Sequence, residues 1–120
     1  MNKPTLVIGA SLKESRYSNT CVKTLVAGHI PVTAIGLREG LINETTVITG
    51  FPELQNIHTV TLYLGPDNQH PFYDYVINLN PERVIFNPGT ENQEFQDMLR
   101  HARIEVIEDC TIMMVEGGRF

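Results

Sequence analysis

The fold is decided by the stretch TLVIGASLKESRYSN, which spans residues 5–19. It begins with the run TLVI, and unbroken hydrophobicity of this kind is typical of a strand buried on both faces. Gly9 then permits a tight turn. A long polar loop leads to Ser18 or Asn19, one of which we expect to cap a helix. A strand, a polar loop and a helix in this order indicate the first unit of a parallel sheet covered by helices.

The rest of the chain repeats this alternation. Further strands are predicted at residues 32–35, 59–64, 83–86 and 104–107, with helices between them and a short helix around residues 112–115. Residues 36–58 are the least decided stretch and contain one candidate short strand, TVI, at residues 46–48. We therefore predict an α/β fold of three layers (αβα). Its centre is a Rossmann-like, doubly wound parallel sheet of five strands in the order 3-2-1-4-5.

Length and composition limit the class of protein. The 120 residues suit one compact domain, so residues 1–120 are predicted to form a single domain. The net charge of −5 argues against a nucleic-acid partner, because such binding depends on neutralising phosphates. No run approaches the ~20 apolar residues of a membrane span, and the N-terminus lacks the pattern of a signal peptide. These features predict a cytoplasmic protein that does not contact membranes.

Metal binding and catalysis receive no support from the sequence. The four histidines are scattered, and the two cysteines, Cys21 and Cys110, have no metal-like spacing around them. No Ser-His-Asp or Cys-His arrangement can be assembled from the order of the residues. We therefore predict no metal site and no catalytic constellation.

The expected binding site lies where the carboxyl ends of the parallel strands meet, since ligands of such sheets bind outside those ends. Five segments should reach that edge, at residues 9–19, 36–40, 65–69, 87–91 and 108–111.

The first of these segments has the features of a phosphate site. The N-terminus of a helix offers free N–H groups and a partial positive charge. Gly9 allows a close turn, Ser11 adds a small polar side chain, and Arg16 supplies a cation. The alternative is an ordinary strand-to-helix loop with a serine or asparagine cap.

Other nucleotide motifs are excluded. A G-x-G-x-x-G fingerprint would need glycines where Ser11 and Glu14 stand, and no Gly-Lys-Ser or Gly-Lys-Thr of a Walker loop occurs. An NAD site usually places an acid after the second strand, whereas this strand leads to Arg38. A cation there suits a phosphorylated ribose, as in coenzyme A (CoA) or NADP. A solvated loop arginine is the alternative interpretation.

Four segments together resemble the small CoA-binding protein family, which is similar to the N-terminal CoA-binding domain of the succinyl-CoA synthetase α subunit. The segments are VIGAS at residues 7–11, RYSN at 16–19, VIFNPGTEN at 84–92 and IEVIEDCT at 104–111. Their order and spacing match across essentially the whole chain.

The resemblance implies CoA as the ligand and a set of residues around it. Those against the pyrophosphate would be Gly9, Ala10, Ser11, Ser18 and Asn19. Arg38 would lie in the region of the ribose phosphate and adenine, and Pro66 would border the adenine pocket.

Two departures limit what the resemblance implies. Relatives often have Asn-Pro-Lys where this chain has Gly36-Leu37-Arg38. The chain also holds no counterpart of the synthetase's second domain, which bears the phosphorylated histidine. The resemblance therefore implies ligand binding and does not imply ligase activity.

The predicted function is a non-catalytic module that binds CoA or acyl-CoA for a partner protein that the sequence does not identify. One alternative is a small enzyme that depends on NADP, or on acyl-CoA through Cys110, although a packing role for that cysteine is favoured. Another is a regulatory subunit whose fold has lost the ligand. A homodimer is also predicted, through apolar surface on residues 112–115.

Overall fold

The computed structural model describes residues 2–120, in which strands and helices alternate along the chain. The strands are β1 (Thr5–Ala10), β2 (Val32–Gly36), β3 (Gly40–Ile42), β4 (Thr45–Ile48), β5 (Thr59–Leu62), β6 (Arg83–Phe86) and β7 (Glu105–Glu108). The helices are α1 (Tyr17–Ala27), α2 (Tyr73–Leu79), α3 (Gln93–His101) and α4 (Thr111–Glu116). Two short 3-10 turns, Pro66–Asn68 and His70–Phe72, precede α2. Within this described part of the chain, no helix has the length and apolar character needed to cross a bilayer.

The strands form one sheet of seven in the order β3-β4-β2-β1-β5-β6-β7. Every neighbouring pair is parallel except β3 and β4, which are antiparallel. The α/β class and the parallel centre of the sheet agree with the prediction, but the five strands in the order 3-2-1-4-5 were wrong. The predicted third strand is β5, and it pairs with β1 on the side away from β2. The position beside β2 is taken by β4, so the strands from β4 to β7 follow the order 3-2-1-4-5-6 of dinucleotide-binding folds.

The two additional strands come from the undecided stretch between residues 36 and 58. They form a hairpin whose connection is only two residues, Asn43 and Glu44, with Asn43 in the left-handed conformation at φ 51°. Only Ile42 and Val47 of this hairpin are buried, because it lies at the edge of the sheet. Two buried side chains in strands this short give no readable hydrophobic period.

The first strand shows why helices cover both faces. Successive side chains of a strand point to opposite faces, yet Leu6, Val7 and Ile8 are all fully buried. Leu6 and Ile8 join a cluster with side chains of α2 and α3, whereas Val7 joins a second cluster with side chains of α1 and α4. The sheet therefore has two cores, as a doubly wound fold requires.

The segment at residues 112–115 is mostly a core helix. Met114 is buried, and Ile112 and Val115 pack against the core cluster beneath α1, so only Met113 is well exposed. The apolar surface that motivated the homodimer is thus reduced to one side chain.

A buried polar network joins the end of the sheet to α4. The Asn87 amide donates to Thr61 Oγ1 at 2.6 Å and to the Leu62 carbonyl at 2.9 Å, and its oxygen accepts the Thr111 N–H at 2.9 Å. Thr61 and Thr111 are also joined through their hydroxyls at 2.8 Å. All of these groups are buried, so each depends on the others for its hydrogen bonds.

Asn87→Ala should lower the free energy of unfolding by about 3 kcal/mol, because it leaves the Thr111 N–H and the Leu62 carbonyl buried without partners. Urea denaturation measures this loss. Asn78→Ala is the matched control, since Asn78 is exposed on α2 and its removal should cost less than about 0.5 kcal/mol. Equal losses in the two variants would contradict a structural role for the network.

Candidate functional site

A cleft of about 710 Å³ opens at the carboxyl edge of the central strands. Four segments line it: the loop after β1 with the start of α1 (residues 9–18 in part), Leu37 and Arg38 after β2, residues 63–65 after β5, and residues 88–90 after β6. The topology thus brings together four of the five segments predicted from the sequence. The fifth, residues 108–111, is not part of the lining.

Gly9 shapes the floor of this cleft. Its φ of 94° is a conformation that side-chain-bearing residues rarely adopt, and the register of β1 against β2 shifts between Ile8 and Ala10. A Cβ at this position would lie 2.9 Å from the Tyr63 carbonyl carbon and 3.1 Å from the Leu64 nitrogen. Only glycine therefore lets the chain leave β1 directly over the end of β5.

Ser18 and Asn19 hold the loop instead of capping the helix, so the predicted cap was wrong. The N-cap position of α1 is Arg16, and no side chain caps it. Ser18 Oγ accepts the Ser11 N–H at 3.1 Å, and Asn19 Nδ2 donates to the Ser11 carbonyl at 2.9 Å. Both side chains are buried inside the first turn of α1, where they reach back to the loop that precedes the helix.

This arrangement leaves the start of α1 free to receive a ligand. A helix begins with N–H groups that have no partner within the helix. Here no side chain caps them, and the Asn19 N–H is donated to the Arg16 carbonyl at 3.1 Å, which leaves the N–H groups of Tyr17 and Ser18. Tyr17 and Ser18, the first two residues of α1, line the cleft. The Ser11 N–H, by contrast, is already donated to Ser18. The donors directed at an anion are therefore those of the helix start.

The charges in the cleft are all of one sign. Lys13, Arg16 and Arg38 line it, and no carboxylate is among the lining residues that the structure describes. None of the three cations belongs to an ion pair within residues 2–120, where the salt bridges are Glu14–Lys23, Asp97–Arg100 and Asp109–Arg119. A protein with net charge −5 thus has a cleft with three unpaired positive charges.

Six of the eight predicted site residues line the cleft: Gly9, Ala10, Ser11, Arg16, Ser18 and Arg38. Asn19 lies beneath the loop and supports it through Ser11. Pro66 begins the first 3-10 turn, next to the lining residue Gly65, and is itself outside the lining. The contacts of these residues with a ligand stay predictions.

Sequence reasoning missed Lys13 and three apolar side chains, Leu12, Tyr17 and Leu37, at the same cleft. Their exposed fractions are 37%, 79% and 94%, respectively. Lys13 was detectable, because it stands in the loop already assigned to phosphate. The apolar residues gave no signal, since an exposed leucine or tyrosine has no pattern of its own in a sequence.

The two thiols are not part of the cleft lining. Cys21 is fully buried in α1, and burial raises the pKa of its thiol to about 12. The Cys21 side chain belongs to the core cluster beneath α1, so its role is packing. Burial likewise raises the pKa of the Tyr63 hydroxyl well above its usual range, so that it stays protonated. Among residues 2–120, no three His, Cys, Asp or Glu side chains cluster as a metal site would require.

Comparison with known proteins agrees with this geometry. A family model described as a CoA binding domain matches residues 3–116, which include every segment of the cleft. The chain belongs to the CoA binding domain family. The resemblance noted in the sequence is thus confirmed at the level of the family. Among curated proteins, no sequence matches significantly.

Solved structures share the fold of this CoA binding domain. The crystal structure of an uncharacterized protein is 37% identical, with a TM-score of 0.96 over all of this chain and 99% of that one. Cell-free ID.343 from Thermus thermophilus is 20% identical, with a TM-score of 0.82 over 98% of this chain and 91% of that one. A hypothetical protein from Pyrococcus horikoshii OT3 is 20% identical, with a TM-score of 0.84 over 97% and 82%. The latter two support the fold alone.

Gly9→Ala should lower the free energy of unfolding by roughly 3 kcal/mol or more, because the left-handed backbone and the contact with Tyr63 are both unfavourable to a side chain. Gly50→Ala is the matched control: its φ is 78°, but a Cβ there meets nothing within 4 Å. The control should lose only about 1–2 kcal/mol. Urea denaturation of both variants isolates the steric part, and equal losses would mean that Gly9 does not need to pass so close to β5.

Proposed function

We propose that this CoA binding domain binds coenzyme A or an acyl-CoA in the cleft at the carboxyl edge of its sheet, and that it carries no catalytic machinery of its own. The observation that supports this most directly is the set of three unpaired cations in a cleft without carboxylates. The uncapped start of α1 adds N–H donors to the same space.

The ligand's charge matches this set of groups. CoA carries a pyrophosphate and a 3′-phosphate, which are separate anionic centres in one molecule. The start of α1 with Lys13 and Arg16 suits the pyrophosphate, because amides and cations converge there. Arg38, at the end of β2, suits the phosphate on the ribose. The surrounding protein is acidic, so the local field of these groups determines which ligand enters.

A phosphorylated ribose is also present in NADP, which makes an NADP-dependent enzyme the second candidate. An NAD site is not supported, because the residue after β2 that lines the cleft is Arg38 and not the neighbouring acid, Glu39.

Binding without catalysis is favoured by the residue types that line the cleft. In the part of the chain that the structure describes, no His, Cys, Asp or Glu lines the cleft. Cys110, the nucleophile of the acyl-CoA enzyme considered above, is partly buried and lies outside the lining. We therefore favour a module that carries CoA or presents it to another protein.

Arg38→Ala should weaken CoA about tenfold and should leave dephospho-CoA, which lacks the 3′-phosphate, nearly unchanged. A charge-assisted hydrogen bond of this kind contributes roughly 1.5–3 kcal/mol, and the exposure of Arg38 places the effect near the lower end. Arg38→Lys should restore part of the affinity, because the charge remains without the planar fork. Isothermal titration calorimetry measures the affinities of wild type and both variants for CoA and dephospho-CoA.

The matched control is Arg100→Ala, which removes an exposed arginine on α3 whose partner is Asp97. It should bind both ligands as the wild type does. The same titrations with NADP and NAD separate the candidates. A wild-type affinity for NADP above that for CoA would favour the NADP-dependent enzyme. If the ratio of the affinities for CoA and dephospho-CoA is the same in Arg38→Ala as in wild type, Arg38 does not contact the 3′-phosphate. If the wild type binds none of these ligands, the fold has lost its ligand.

A further inference from the structure

Two walls of the cleft are formed by residues 63–65, which follow β5, and by residues 88–90, which follow β6. The β5–β6 ladder ends at the pair Leu62 and Phe86. Beyond it, residues 63–65 and 88–90 continue as irregular backbone along the cleft. Irregular backbone of this kind keeps a fixed spacing only if other groups hold it.

The side chain of Gln69 connects these two walls. Its side-chain nitrogen donates to the Leu64 carbonyl at 2.9 Å and to the Thr90 carbonyl at 2.7 Å. Leu64 belongs to the wall that follows β5 and Thr90 to the wall that follows β6, and Gln69 itself is fully buried. One amide group thus joins the two walls through both of its N–H bonds.

The orientation of this amide is itself fixed. Gln69 Oε1 accepts from Asn92 Nδ2 at 3.0 Å, and Asn92 Oδ1 accepts the Phe95 N–H at 3.2 Å as the cap of α3. The cap determines which end of Asn92 is the oxygen, and Asn92 then determines which end of Gln69 is the oxygen. Asn92 Nδ2 also donates to the Tyr73 hydroxyl, which donates in turn to Glu94.

We propose that Gln69 is a positioning residue that sets the width of the cleft between residues 63–65 and 88–90, and thereby the affinity for the part of CoA that lies between them. The inference rests on the proposed function for the identity of the ligand. The residue itself touches no ligand, since it is fully buried and acts through the two carbonyls. Its chemistry is general: two carbonyls away from bulk water require N–H donors, and a side-chain amide supplies two from one nitrogen without adding a charge.

We call the two hydrogen bonds from the Gln69 amide to Leu64 and Thr90 the clamp. The Gln69→Glu variant tests it, because the side chain keeps its shape while the nitrogen donor is replaced by an oxygen. At pH 8 its carboxylate would face two carbonyl oxygens, so the walls should move apart and CoA should bind about tenfold more weakly than to wild type. At pH 5.5 the buried acid is protonated and donates one hydrogen bond, which should narrow the loss to about threefold. Titration calorimetry with CoA at both pH values measures this. Each value is divided by the wild-type affinity at the same pH, which removes the titration of the ligand's own phosphate.

Gln96→Glu is the matched control. Gln96 is also a buried glutamine, but it donates to Glu108 at 2.8 Å and does not line the cleft. Its variant places a buried carboxylate beside another carboxylate, so it should destabilise the fold as pH rises without changing the affinity for CoA. If Gln69→Glu does not fold, Gln69→Asn replaces it, since the shorter amide cannot reach both carbonyls and should weaken CoA at either pH.

Amide hydrogen exchange of residues 63–65 and 89–91 gives a readout that needs no ligand. Faster exchange in both segments of the Gln69 variant, relative to wild type and to Gln96→Glu, supports the clamp even if wild type does not bind CoA. In that case the proposed function alone has failed. If wild type binds CoA while the Gln69 variant matches the control in affinity, pH dependence and exchange, the clamp is wrong and the function stands.

Discussion

The close passage of Gly9 over the end of β5 is the constraint on which the rest of the site depends. A parallel sheet brings the ends of β1 and β5 side by side, and the chain must then turn away to begin a helix. At Gly9 it does so in a backbone conformation closed to other residues, within contact distance of Tyr63 and Leu64. The loop that follows and the first two residues of α1 therefore line the cleft at this edge.

Two sets of side-chain hydrogen bonds then hold the chain around that turn. Ser18 and Asn19 hold the loop to the first turn of α1 through Ser11, which leaves the helix start without a cap. On the other side, Asn87 ties β5, the loop after β6 and α4 together. Both sets use buried side chains whose partners would otherwise be unsatisfied, so the local cost of loosening either is high. The floor of the cleft is thus held by hydrogen bonds, and its exposed surface carries the charges.

The electrostatic character of the cleft runs against that of the whole protein. Lys13, Arg16 and Arg38 line one cleft, whereas no carboxylate is among its described lining residues, although Glu14 and Glu39 are their neighbours in the chain. Cations so placed, without carboxylates to pair with, repel one another. Such an arrangement is relieved by an anionic ligand and by no side chain of the described residues.

The sequence was sufficient for the layers, the parallel centre of the sheet and most of the site. Buried parallel strands such as β1 and β5 are read from unbroken apolar runs, and the ends of such strands locate the cleft. The edge hairpin was not predictable, because Ile42 and Val47 are its only buried side chains. The predicted order of strands was wrong for the same reason, because β4, and not β5, occupies the position beside β2.

The role of Ser18 and Asn19 could not be read from the sequence. A residue that caps a helix and a residue that bonds back to the preceding loop are of the same types and lie in the same part of the sequence. Which role a residue has depends on where the helix begins. Gln69 also lacked any signal, because its function depends on two carbonyls that are distant in the chain and become neighbours only in the fold.

The proposed function requires the cleft at the carboxyl edge of the sheet to receive CoA. Amide chemical shifts of the uniformly labelled protein, followed by NMR during titration with CoA, test it most directly. Saturable shifts are expected at residues 9–18, 37–38, 63–65 and 89–90, with little change in the segments at the opposite edge of the sheet, such as residues 57–59 and 82–83. Shifts confined to that opposite edge, or no saturable shifts with CoA at millimolar concentration, would contradict it.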